Sequence, residues 1–242
     1  MQRNERIDVL RDAADRAARA ADGALDVAVP SCPGWSLADL LAHMTTVVGF
    51  WGAIAAGGED PPTDWAPPPR PDDADVIAWY QAEVDQALAA LASLDPDTPR
   101  WTWAPPHNAG FIQRRMAQEF AVHAWDAENA IGSGRPIESA VAAEGIDEFL
   151  GTFVPNQATA LEGDPLAVHL HTTDADGEWM LAIGEGNHHL ERVHGKGDVA
   201  VRGPASDLLL ALWGRAPIDG EGVEVFGDRA VLAAFVERIG KF

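Results

Sequence analysis

At 242 residues the chain is long for one average domain and short for two large ones, and its 47% apolar content suffices for a buried core. Acidic residues outnumber basic ones 38 to 17, giving a net charge of -21, and Lys196 and Lys241 are the only lysines. A surface of that sign without a basic run argues against a nucleic-acid partner. One cysteine, Cys32, rules out an intrachain disulfide, and the charged, periodic N-terminus is no signal peptide; with no apolar run read as bilayer-spanning, a cytoplasmic protein with no membrane partner is expected.

In chain order, Ile7, Leu10, Ala14, Ala17 and Ala21 recur at helical spacing and predict an amphipathic helix over Glu5 to Ala21. The stretch Pro30 to Trp35 holds too much Pro and Gly for a regular element. Ser36, with Asp39 three residues on, reads as an N-cap opening a second helix to about Ala56, whose buried face is expected to carry Leu40, His43, Val47 and Phe50. Residues 57–72 form a Pro-rich connection, and Ala74 to Ser93 a third helix. An aromatic loop with Trp101, Trp103 and His107 leads into the fourth, expected over Arg114 to Ile131. Four helices with one long crossover predict a four-helix bundle.

A helix over Glu138 to Phe153 is expected as a bridge out of the bundle, after which the pattern changes. Strands are predicted at Leu166 to Thr172, Trp179 to Ile183, Val199 to Arg202 and Val223 to Phe226, with helices over Ala205 to Trp213 and Arg229 to Ile239. The fold class is therefore α+β, a helical bundle over residues 1–160 followed by a small α+β domain over 161–242.

Chemistry concentrates on the fourth helix. Glu119 and His123 are four apart and Asp126 follows three later, so all three project from one side. Glu and His at this spacing either form a solvated or hydrogen-bonded pair or supply two ligands to a Zn-type ion, and the second case needs a third ligand from elsewhere. His43 is either a core histidine or that third ligand. Asp126 either accepts a hydrogen bond from the far nitrogen of His123 or, the slightly favoured reading, ties the helix to a neighbour. Arg114 and Arg115 bind a substrate carboxylate or pair with surface acids; Trp101, Trp103 and His107 wall a pocket or cover a bundle end. Cys32 reads as packing. His169 and His171 share a strand face but show no third ligand, and His188-His189 reads as a polar hairpin.

The stretches VPSCPGWSLADLLAHM (29–44), EFAVHAWDAE (119–128) and VRGPASDLLLALWGR (201–215) together resemble the mycothiol-dependent maleylpyruvate isomerase family, whose first domain is a DinB-like metal-binding four-helix bundle. The resemblance covers essentially the whole chain. It implies zinc held by His43, Glu119 and His123, with Asp126 behind them, and a cofactor-binding arginine in the second domain, Arg215 first and Arg202 as the competitor. It further implies mycothiol as cofactor, activated as a thiolate at the ion for attack on a small electrophile. In an isomerase the adduct permits rotation about a former double bond before the thiol leaves, and in an S-transferase the adduct is the product. A non-catalytic metal-binding or regulatory module and a metal-dependent hydrolase are the alternative readings.

Overall fold

The computed structural model describes residues 1–240, which divide into two compact units that part between Arg135 and Pro136. In the first, α1 (Arg3–Ala21), α2 (Leu37–Ala56), α3 (Val76–Ser93) and α4 (Ala109–Ala130) form the expected bundle. Going round the ring, α1 packs on α4, α4 on α2, α2 on α3 and α3 on α1. The start of α2 is fixed locally: Ser36 Oγ accepts from the Asp39 amide while the Asp39 carboxylate accepts from the Ser36 amide, a reciprocal box that satisfies two otherwise orphaned donors. Asn108 caps α4 by accepting from the Phe111 amide, so this helix begins five residues before the expected Arg114.

Two expectations for α2 need correction. Its buried stripe runs through Leu37, Leu40, Leu41, Met44, Val48 and Trp51, rotated from the predicted face, so His43, Val47 and Phe50 lie half-buried at its edge. A strict core position would have left His43 enclosed; the edge turns it toward α4. Contrary to the expected absence of any bilayer-length segment, α2 is long and apolar enough by length and composition to cross a membrane. Asp39, His43, Thr45 and Thr46 interrupt the apolar run without lowering its average far, and the buried stripe packs within the bundle.

The second unit opens with α5 (Ser139–Glu148), which continues through one π turn at Phe149–Phe153 and packs against α7 (Ala205–Leu212). Because of that packing the units part at Arg135/Pro136, a helix earlier than the division expected after Ala160. A four-residue α6 (Ala158–Leu161) precedes β1 (Leu166–Thr172), β2 (Glu178–Gly184), β3 (Asn187–Glu191) and β4 (Val199–Gly203); after α7 come β5 (Glu224–Gly227) and α8 (Arg229–Ile239). The sheet order is β3-β2-β1-β4-β5, with β1 and β4 parallel and the other pairs antiparallel. Leu166, Val168 and Leu170 on β1 and Trp179, Leu181 and Ile183 on β2 point into the core, which leaves His169, His171, Glu178 and Met180 on the opposite face. The pair His188-His189, expected in a polar hairpin, lies on β3, the edge strand that forms an antiparallel hairpin with β2.

Candidate metal centre

The loop before α2 is built to hold one shape. Cys32 and Trp35 close a turn through the Trp35 amide and the Cys32 carbonyl, with Pro33 and Gly34 at its centre; Gly34 takes φ +87, the conformation a type II turn demands and glycine supplies without strain. Val29 accepts from Cys32 and donates to Trp35, and Leu37 donates to Val27, so the loop is stitched across its neck. Its side chains meet α4. Ser31 Oγ donates to Asp126 Oδ1 at 2.6 Å, and Cys32 Sγ lies 3.9 Å from Asp126 Oδ2.

On α4 the four-residue spacing brings Glu119 and His123 together, and packing against α2 adds His43. Glu119 Oε1 stands 3.2 Å from His43 Nε2 and 3.3 Å from His123 Nε2. The two imidazole rings meet edge to face with centroids 5.0 Å apart. These three side chains each offer a donor atom within 4.8 Å of the others, and among the described residues no fourth ligand-type side chain joins them. Cys32 groups instead with His123 and Asp126. The His43 side chain is 32% exposed against 10% for His123, so the group opens on the His43 side.

Burial by itself raises the Glu119 carboxyl and lowers the His123 imidazole. Their mutual attraction, reinforced by His43 and Arg115 on one side and by Asp126 and Cys32 on the other, outweighs it: Glu119 is held well below the ordinary carboxylate value and His123 well above that of a free imidazole. Asp126 accepts from His123 Nδ1 at 2.8 Å. It therefore does both things the sequence left open, since the same carboxylate also takes the Ser31 hydroxyl and ties α4 to the loop.

Arg115 is 4% exposed and donates through Nη2 to Glu119 Oε2 at 2.7 Å. The Arg114 guanidinium lies 5.7 Å from the Phe111 ring centroid. Trp103 packs edge-on to Phe111, Trp101 to Phe50, and His107 bonds Thr102, all near the start of α4, about 12 Å along the helix from Glu119. They cover the bundle end. The aromatic beside the site is Trp35, its ring 4.9 Å from that of His43, which the sequence reading placed in the loop without a role. Trp35 is thus the neighbour it missed; for Arg115 it missed the pairing with Glu119, for which the spacing of four was the available signal.

In the second unit Arg202 pairs with Glu224 at 2.7 Å on the exposed sheet face. Arg215 follows the Schellman-type end of α7, its amide bonding the Leu210 carbonyl past Gly214 at φ +73 and its Nη1 bonding the Trp213 carbonyl. Trp213 packs edge-on to Phe149 and Phe153, both at 4.9 Å.

No curated protein sequence matches the chain. Among solved structures, a mycothiol-dependent maleylpyruvate isomerase superposes with TM-score 0.62 at 15% identity over 93% of both chains. A histidine-to-alanine mutant of such an enzyme gives 0.61 at 14% identity and the same coverage. At these identities the likeness speaks to the fold. The model described as "Mycothiol maleylpyruvate isomerase N-terminal domain" matches residues 8–128, half of the chain, and the MDMPI C-terminal domain matches 140–234. The chain belongs to the mycothiol-dependent maleylpyruvate isomerase family of enzymes.

Proposed function

We propose that the protein is a mycothiol-dependent isomerase, or an S-transferase of the same chemistry, acting on a small electrophile such as maleylpyruvate, with His43, Glu119 and His123 holding a Zn²⁺-type ion. The observation that carries this reading is the pair of distances from Glu119 Oε1 to the two imidazole Nε2 atoms, 3.2 and 3.3 Å. A tetrahedral shell with bonds of roughly 2.0–2.1 Å sets its donor atoms about 3.3 Å apart. Two imidazoles and one carboxylate also make the three-ligand set of a catalytic rather than a structural zinc site. The chemistry such an ion supplies when bound is acidification of a thiol in the remaining position, so that a group of ordinary pKa about 8.5 is presented as a thiolate at neutral pH.

The chain's own residues prepare that position. Arg115 occupies Glu119 Oε2 and leaves Oε1 to face the two imidazoles. Asp126 accepts a hydrogen bond from Nδ1–H of His123 and so orients the ring with Nε2 toward Glu119, the nitrogen that would serve the ion. Trp35 lies against the His43 ring. For the thiol cofactor we assign Arg215, at the end of α7, with Arg202 of β4 as the alternative. The lone cysteine is consistent with a cytoplasmic enzyme.

Zinc-loaded protein is expected to bind mycothiol in calorimetry and to convert maleylpyruvate only when mycothiol is present. His43→Ala, with two ligands left, is expected to lose the ion of this group and turnover while keeping its helical circular dichroism. Hydrolysis of an ester or amide without any thiol would move the assignment to a hydrolase, and absence of thiol binding by the metal-loaded protein would leave a non-catalytic module. Arg215→Ala is expected to weaken mycothiol binding with metal content unchanged; unaltered affinity would shift the role to Arg202 or elsewhere.

A further inference from the structure

We propose that His169, His171, Glu178 and His194 form a second divalent-metal site, of zinc class, on the face of the sheet turned away from the core of the second unit. Strand alternation puts His169 and His171 on that face of β1, and the antiparallel register sets Glu178 of β2 directly opposite His171. The fourth member comes from the β3–β4 connection. That segment folds back so closely that a Cβ on Gly195 would lie 2.8 Å from Met180 Cγ, and one on Gly197 2.8 Å from the Ala167 carbonyl oxygen. Two glycines therefore permit the approach that sets His194 over the strand pair.

Each of the four offers a donor atom within 4.8 Å of every other. Glu178 Oε1 lies 2.8 Å from His171 Nδ1 and 3.0 Å from His194 Nδ1, and the His169 and His194 rings meet edge to face at 5.3 Å. Hydrogen bonding alone accounts for Glu178 with two of the imidazoles but not for the third. His169 is 5% exposed although it lies on the outer face, and its Nε2 is buried with no hydrogen-bond partner. Burying such an atom without a partner is costly, so an unsatisfied ring nitrogen points to a ligand. Imidazoles with a carboxylate suit zinc-class ions, and four protein donors fill a tetrahedral shell completely. This site would therefore be structural, pinning the β3–β4 connection to β1 and β2, in contrast to the three-donor group of the bundle.

The test is Co²⁺ bound per chain, by equilibrium dialysis and tetrahedral d–d absorption, for the chelator-stripped full-length protein and its variants. His43→Ala removes the bundle group from the count and is expected to retain one tetrahedral ion. Adding His194→Ala, at a side chain 80% exposed and so without risk to folding, should weaken that ion's binding by more than about tenfold, because even outer-shell losses cost that much. A His43→Ala chain that holds no ion overturns the proposal. So does an ion whose affinity is unchanged by His194→Ala.

Discussion

A single carboxylate, Asp126, shows how much one side chain on α4 organises. It is fully buried and accepts from His123, Ser31 and Cys32, so it orients an imidazole and anchors the turn that carries Trp35. Asp126→Asn keeps the volume but loses acceptor capacity and the charge that favours the Nδ1–H tautomer. The expected outcome is a 10–100-fold loss of zinc affinity, about the cost of removing an outer-shell carboxylate, measured by competition with a chromophoric chelator. An unchanged dissociation constant would show that Asp126 serves the loop alone. Glu119, His123 and Asp126 were legible as a set because helical spacing alone groups them. The β-face cluster was not: His169 and His171 share a face on any reading, but only strand register and the fold of the 192–198 segment bring Glu178 and His194 to them, and neither is written in local spacing.

Helix starts and strand ends follow the same division between local and tertiary cause. Ser36 and Asp39 announce the α2 N-terminus in the sequence because the capping box is made within four residues. Ser36→Ala removes the hydroxyl acceptor and is expected to destabilise the first unit by about 1 kcal/mol, lowering the thermal midpoint with the metal group intact; an unchanged midpoint would mean that the loop hydrogen bonds hold α2 without it. The start of α4 was misplaced because Asn108 follows a Pro-rich loop, where a cap and a turn residue look alike. Strand β1 and helix α8 fell within their observed bounds because alternation and amphipathic period are strong there. Strand β3 escaped because it is an edge strand, polar at nearly every position, and pairs only through β2.

Across the molecule, 38 acidic side chains against 17 basic ones leave few cations to spend, and the buried Glu128 draws two of them. Glu128 on α4 accepts a forked pair of bonds from Arg16 on α1, at 2.9 and 2.7 Å, and a further contact at 2.9 Å from Arg135. Burial raises its carboxyl, but the bonds from Arg16 and then Arg135 prevail and hold it at about 2, below its ordinary 4.5. A carboxyl with a depressed folded value stabilises fully above the unfolded value, and that contribution disappears as pH falls from about 4.5 toward 2. The shift corresponds to at most about 3 kcal/mol. Glu128→Gln is therefore expected to lower stability at neutral pH and to flatten the loss between pH 4.5 and 2, followed by urea midpoints across that range. Equal slopes for the two proteins would assign the acid lability to other carboxylates.

The ring of contacts in the bundle carries a consequence for synthesis. Helix α1 packs chiefly on α4, which ends at Ala130, so the first helix emerges from the ribosome well before its main neighbour exists. Meanwhile α2, as greasy as a bilayer anchor by length and composition, is translated with only α1 ahead of it. Nascent chains truncated before residue 109 should consequently recruit holdase chaperones, and release from them should coincide with the appearance of the segment bearing Glu119 and His123. The helix that carries Glu119 and His123 is thus also the one whose arrival lets the bundle close.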